Sequence, residues 1–289
     1  MQPDHQPAST SPSPTVSAPS QAPSARTDTT IEVARGQDVA VRLYGRKKAG
    51  QASPVVVHFH GGAFVSGDLD KGCTMAVLLE AEGAVVVSVA YPLTPFPQPV
   101  ETGYGVLKWV HRHRTRLGGQ GAPVYLAGEE AGGNLAAAVC LVARDQAHPP
   151  LAGQILLSPM LDPCVGTASL RAATGNATGC QWTEGWRQFL RGPRDAEHPY
   201  AVPAGALRLA GLPPTLVLVG DTDPLRDEAL AYASRLEAAG LPVTRHVLAK
   251  AAQWPDTLRQ DCEHAAPCAA GAQAQFRRFF EATRLPLPE

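Results

Sequence analysis

The chain has 289 residues, with 25 Lys and Arg against 26 Asp and Glu and a formal net charge of −1, so charge gives no case for nucleic acid or an anionic membrane as its partner. At 44% hydrophobic and 18% charged residues, its bulk is globular, and its length suits a single domain. No apolar run approaches the roughly 18 residues of a spanning helix, the opening MQPDHQPAST resembles no signal peptide, and six cysteines are too few for a disulfide scaffold; together these predict a soluble, cytoplasmic protein.

Six prolines, six serines and five threonines fill 17 of the first 30 positions. Such a segment buries too little apolar surface to offset its ordering entropy, so residues 1–30 read as a disordered tail and 31–289 as the folded domain. Ile31–Val33 and Val39–Leu43, joined through Gly36, predict an opening hairpin. Short apolar runs at Val55–Phe59, Ala84–Ala90, Val124–Ala127, Gln154–Leu157, Thr215–Val219 and Val243–Leu248 predict strands buried on both faces. Helix-like stretches alternate with them at Asp70–Glu82, Val100–Arg116, Gly132–Arg144, Leu225–Ala239 and Ala270–Thr283. The alternation predicts an α/β fold, a mostly parallel sheet covered by helices, whose ligands bind beyond the carboxyl ends of the strands.

Three strand ends carry chemistry. Val55–Phe59 runs into His60-Gly61-Gly62-Ala63-Phe64, where glycines let backbone amides approach an oxygen closely; a plain glycine turn is the other reading. Val124–Ala127 runs into Gly128-Glu129-Glu130-Ala131-Gly132-Gly133, the layout of a nucleophile elbow with Glu130 where serine belongs. Thr215–Val219 leads to Asp223-Pro224-Leu225-Arg226-Asp227, an aspartate placed to orient a catalytic histidine.

In this order the segments resemble the hormone-sensitive-lipase-like esterases of the α/β-hydrolase fold: His60–Phe64 with Gly67-Asp68 is similar to their HGGGF…GD, Gly128–Gly133 to their GDSAGG, Leu157–Pro163 to the segment after their next strand, and Gly211-Leu212-Pro213-Pro214 to Asp227 to their GLPP…DPLRD. The resemblance implies ester hydrolysis by serine, histidine and aspartate, an oxyanion hole at Gly61, Gly62 and Ala131, and a small lid over about Cys164–Leu209 with Trp182, Trp186 and Phe189. Of the triad only the acid, Asp223, is present. The serine position is Glu130, and the histidine position is Ala252, or Gln253 with a one-residue slip; neither is a general base near neutral pH. His246 and His264 are remote substitutes, His111 and His113 read as solvated surface, and His60 as holding its loop. The family's DYRLAPE-like stretch is here Ala90-Tyr91-Pro92-Leu93-Thr94-Pro95 without its arginine, and its N-terminal cap helices have no counterpart.

Two readings of function follow. In the first, Glu130 fills the oxyanion hole and the chain is a non-catalytic pseudo-hydrolase that binds a small acyl or hydrophobic ligand or regulates, without ordinary serine-esterase activity; plant gibberellin receptors, which resemble the family and lack a working histidine, are the analogy. In the second, Glu130 acts as carboxylate nucleophile or base with Asp223, on esters, epoxides or similar substrates. No cofactor or metal is indicated: Glu129, Glu130 and Asp223 are too few ligands, and Cys262 and Cys268 read as a surface loop before a small disulfide or metal site. A homodimer through an edge strand is expected by resemblance alone.

Overall fold

A computed structural model of the chain describes residues 26–174, 181–249 and 269–284. Eight strands form one sheet in the order β1-β2-β4-β3-β5-β6-β7-β8. The opening hairpin is β1 (Arg26–Ala34) and β2 (Gln37–Tyr44). The strands β3 (Val55–Phe59), β4 (Val85–Val89), β5 (Val124–Glu129), β6 (Gly153–Leu157) and β7 (Thr215–Gly220) are buried throughout and pair in parallel, as does the last, β8 (Val243–Leu248). Only the pairings β1–β2 and β2–β4 are antiparallel.

Two of these strands depart from the sequence reading. β1 begins at Arg26, and Arg26–Thr30 pair with Ala40–Tyr44, so these five residues belong to the sheet and not to the tail read from composition; residues 1–25 lie outside the described residues. Threonines that make a segment polar also suit the pleat of an exposed edge strand. β8 was expected to be buried on both faces. Instead Thr244–Val247 are exposed, because among the described residues β8 is the other edge of the sheet, with β7 as its one strand partner.

Helices cover both faces. On one, α1 (Cys73–Ala81) and α8 (Ala269–Thr283) pack with Tyr44, Val56, Val86 and Tyr125. On the other, α2 (Gln98–Gly118), α3 (Ala131–Asp145) and α7 (Arg226–Ala238) close the larger core. α3 is apolar nearly all round and almost wholly buried, the mark of a central helix. Between β6 and β7 lie α4 (Ala168–Thr174), α5 (Gln181–Phe189) and α6 (Pro193–Ala196). This is the region read as a lid. Phe189 of α5 stacks on Phe64 with ring centroids 4.0 Å apart, so α5 sits directly on the loop that follows β3.

The strand order reverses at β3, with β4 on one side and β5 on the other. The loops leaving β3 and β5 therefore diverge and open a crevice at the carboxyl edge. No helix among the described residues is long and apolar enough to cross a membrane. Cys73 is disulfide-bonded, whereas Cys140 and Cys164 are free thiols. That bond departs from the thiol chemistry expected of a cytoplasmic chain. Cys262 and Cys268 lie outside the described residues.

Candidate active site

Glu130 stands between β5 and α3 with φ 50° and ψ −115°, a strained turn that aims its side chain across the carboxyl edge. Its backbone is clamped on both sides. The Glu130 amide donates to the Leu157 carbonyl at 3.1 Å, and its carbonyl accepts from Asn134 at 3.1 Å and Met160 at 2.9 Å. Behind it, α3 passes so close to β3 that a Cβ on Gly132 would overlap the Phe59 carbonyl oxygen, which explains the small residues after the elbow.

The Glu130 side chain is fully buried, and its Oε2 accepts the Gly62 amide at 3.0 Å. Gly62 has φ 115°, and a Cβ there would strike the Ser66 carbonyl; glycine is what allows this amide to face the elbow. Gly61 departs from its expected role. Its amide donates to Glu129 Oε1 at 3.1 Å. Ala131, the first residue of α3, is buried beside them.

Glu129, His58 and Ser88 form a cluster that the motif reading missed. His58 Nε2 donates to Glu129 Oε2 at 2.8 Å, and Ser88 Oγ lies 3.0 Å from His58 Nδ1. All three are buried. His58 and Ser88 are direct partners across β3 and β4. The signal was present in the sequence as a single polar residue at matching positions in two otherwise apolar strands, VVVHF and VVVSV. His60 holds its loop as expected. Its Nδ1 donates to the Gly61 carbonyl at 2.8 Å, and its ring stacks on Tyr91 at 4.3 Å. Tyr91 Oη donates back to the His60 carbonyl at 2.8 Å. Burial pushes the His60 imidazole below its ordinary value.

Asp223 follows β7 on the same carboxyl edge as Glu130 and is fully buried. Its Oδ2 accepts the Ser158 hydroxyl and, at 3.4 Å, the Gly220 amide; its Oδ1 accepts the Leu225 amide at 2.8 Å. The guanidinium of Arg226, three residues on, does not bond the Asp223 carboxyl; it bonds Asp227 Oδ1 at 3.1 Å and the Asp221 carbonyl at 2.7 Å. Asp223 has three short-range donors already in place, so no cation is drawn into the core. Burial raises the Asp223 carboxyl to about 6, with the nearby Glu130 charge adding to the rise. Glu228 of α7 is a second buried acid in this region; its Oε1 accepts the Leu161 amide at 2.7 Å, and burial raises it to about 8.

Ala252, Gln253 and His264 lie outside the described residues. His246 is exposed on β8. His111 and His113 are half-buried on α2 rather than freely solvated; His113 stacks on Trp109 at 4.1 Å, and His111 meets His148 edge-on. Among the described residues no group of three His, Cys, Asp or Glu side chains converges to hold a metal. In the lid, the buried indole N–H of Trp182 donates to no described residue.

Residues 56–252 match the family model of the alpha/beta hydrolase fold. The chain is similar to Esterase LipI of Mycobacterium tuberculosis, 36% identical over 205 residues that cover 67% of this chain and 63% of that protein. It is also similar to Gibberellin receptor GID1C of Arabidopsis thaliana, 36% identical over 212 residues that cover 67% of this chain and 60% of the receptor. Among solved structures it is similar to a thermostable esterase from Pseudomonas putida ECU1011, with a TM-score of 0.80, 30% identity, and coverage of 92% of this chain and 84% of that one. The chain thus spans less than two thirds of the length of these two curated relatives. With an elbow after β5, a glycine loop after β3 and an acid after β7 on one carboxyl edge, and with the matched region extending over most of the described sheet, the chain belongs to the hormone-sensitive-lipase-like esterase family of the α/β-hydrolase fold.

Proposed function

We propose that the chain is a hydrolase of small carboxylic esters or related acyl compounds that works with carboxylates in place of the family's serine and histidine. Glu130 is the base or attacking carboxylate and Asp223 its acid partner. The observation that carries this reading is the pair of acids itself. Two fully buried carboxyls stand at the ends of β5 and β7, on either side of β6, and the Glu130 charge reaches Asp223, which is raised to about 6. Paired acids pushed apart in proton affinity are how one site holds both a base and an acid near neutral pH. Glu130 removes a proton from a water that adds to the acyl carbon, Asp223 gives a proton to the departing alkoxide, and afterwards Glu130 loses its proton to solvent and Asp223 regains one. If Glu130 attacks the acyl carbon itself, the alkoxide leaves with the Asp223 proton and water then cleaves the acyl–Glu130 anhydride, returning the carboxylate. The esterase relatives support the substrate class.

The test is hydrolysis of p-nitrophenyl acetate and butyrate by highly purified protein, beside Glu130→Gln and Asp223→Asn. Loss of a positioned acid or base should lower the rate by about a hundredfold or more in each variant. A wild-type rate equal to buffer, or variants as fast as wild type, would sink the reading.

One observation favours a second reading. The Gly62 amide is already bonded to Glu130 Oε2, so an amide suited to a transient oxyanion holds a permanent one. On this reading the site binds a small acyl or hydrophobic ligand without turnover. A ligand that prefers the folded state raises the melting temperature, and a thermal-shift screen with an inert ester assay would select it.

A further inference from the structure

The site's two carboxylates are joined by a segment to which the family resemblance gives no part. Leu157-Ser158-Pro159-Met160, at the end of β6, is bonded to Glu130 on one side, where the Leu157 carbonyl accepts the Glu130 amide at 3.1 Å and the Met160 amide donates to the Glu130 carbonyl at 2.9 Å. On the other side it is bonded to β7 and its acid. The Ser158 amide donates to the Leu218 carbonyl at 2.8 Å, and the Ser158 hydroxyl donates to Asp223 Oδ2. From α3, Asn134 Nδ2 donates to the Met160 carbonyl at 3.0 Å. Ser158 is fully buried and has φ 41°. A non-glycine residue in that region is strained and persists only where its surroundings over-determine it. Here the left-handed turn accompanies a side chain that faces β7 and meets the acid.

We propose that Ser158 is the positioning residue of Asp223: its hydroxyl, presented by the left-handed turn at the end of β6, holds the carboxyl at the end of β7 and supplies the hydrogen bond that a histidine supplies in a serine hydrolase. A hydroxyl donating to a carboxylate favours its ionised form. The charge facing Asp223 from the elbow acts the opposite way: Glu130 raises it, while Asp223 in turn raises Glu228 of α7. The amides of Leu225 and Gly220 act with the hydroxyl. Ser158 is thus the side-chain donor, among the described bonds, that offsets burial and the Glu130 charge at Asp223. The kinetic consequence of this role rests on the carboxylate-hydrolase reading above; the effect on Asp223 itself does not.

The experiment is a carbon-13 NMR titration of aspartate-labelled protein, with the Asp223 signal assigned by its loss in Asp223→Asn. Ser158→Gly is the decisive variant, because it removes the hydroxyl and suits a positive φ, whereas Ser158→Ala keeps the strain without its purpose. The Asp223 midpoint should rise about one unit, a tenfold weaker ionisation, in Ser158→Gly. Ser158→Cys, a weaker donor, should fall between Ser158→Gly and wild type. A Ser158→Gly midpoint equal to wild type overturns the proposal, and so does a Ser158→Cys midpoint that does not fall between the two. In the ester assay, the alkaline limb of the kcat profile, where the proton-donating form of Asp223 is lost, should move with the same midpoint while KM holds. An inert wild type removes the hydrolase reading alone, since the NMR midpoints still decide the role of Ser158.

Discussion

The two halves of the site handle buried charge in opposite ways. On the β3–β5 half, each carboxylate meets donors from the loop or the sheet: Glu129 accepts from His58 and the Gly61 amide, and Glu130 accepts from Gly62. On the β6–β7 half, Asp223 and Glu228 are held by a hydroxyl and backbone amides without an arginine, lysine or histidine among the described bonds. Both acids there rise, to about 6 and about 8. A hydroxyl and a few amides leave Asp223 and Glu228 able to take up a proton near neutral pH, whereas on the other half the His58 ring ties Glu129 across the sheet to β3. One half of the crevice is thus tied by an imidazole contact, and the other carries two raised acids.

The titrating half should dominate the dependence of stability on pH. Asp223 rises from 3.8 to about 6 and Glu228 from 4.5 to about 8. A carboxyl raised in the folded state binds its proton more tightly folded than unfolded. Its contribution is therefore fully present below its unfolded value and is lost as pH climbs through the folded one. The window runs from about pH 4 to about pH 8, with stability falling as pH rises. At about 1.4 kcal/mol per unit, the loss is up to about 5 kcal/mol for Glu228 and about 3 for Asp223. Urea unfolding across this range should show the fall, with Glu228→Gln flattening most of it and Asp223→Asn its lower part. A flat profile would erase the contrast between the halves.

The next effect tests whether the crevice keeps hydrolase geometry. Glu130→Ser combined with Ala252→His should gain about a thousandfold on p-nitrophenyl butyrate over either single change, because serine needs its base and histidine its nucleophile. The gain should stay below a natural triad, since the new imidazole must compete with Ser158 for Asp223. If Ala252→His alone is faster than wild type, Glu130 attacks the acyl carbon and the new imidazole speeds cleavage of its acyl intermediate by water. If the double variant is folded yet inert, moving the histidine to position 253 distinguishes a misplaced histidine from an obstructed pocket.

Much of this arrangement was readable before any coordinates. Val55–Phe59 and Val243–Leu248 coincide with β3 and β8 because apolar runs bounded by turn residues leave little choice of end. The order of glycine loop, elbow and acid placed Glu130 and Asp223 on one edge. What stayed hidden were choices between near neighbours. Two consecutive glutamates both face the glycine loop, and nothing in their spacing says that Gly61 serves Glu129 and Gly62 serves Glu130. The exposure of β8 depends on its place in the strand order, a long-range property that an apolar run does not carry.

The imidazole-tied half predicts a mutational cost that depends on more than charge. Glu129→Ala removes the shared acceptor of His58 and Gly61. Two buried donors are then left without it, and the loss should be about 3 kcal/mol in chemical denaturation. Glu129→Gln keeps one carbonyl acceptor and should lose less. If Glu129→Ala matched Glu129→Gln, the His58–Glu129 contact would not be what holds this half in place.

The smallest effect is expected at Arg226, the cation nearest Asp223 in sequence. Its guanidinium is about one-third exposed and binds Asp227 and the Asp221 carbonyl. Exposed ion pairs of this kind contribute about 0–1 kcal/mol. Arg226 also opens α7, where the helix dipole disfavours a cation and offsets part of that gain. Arg226→Ala should therefore change stability by less than about 1 kcal/mol and leave the Asp223 midpoint near 6. The measurement is the same NMR titration used for Ser158. A rise in that midpoint would mean that a cation reaches the acid in solution. The titrating half would then hold its charge much as His58 holds Glu129, and the two halves would differ in degree and not in kind.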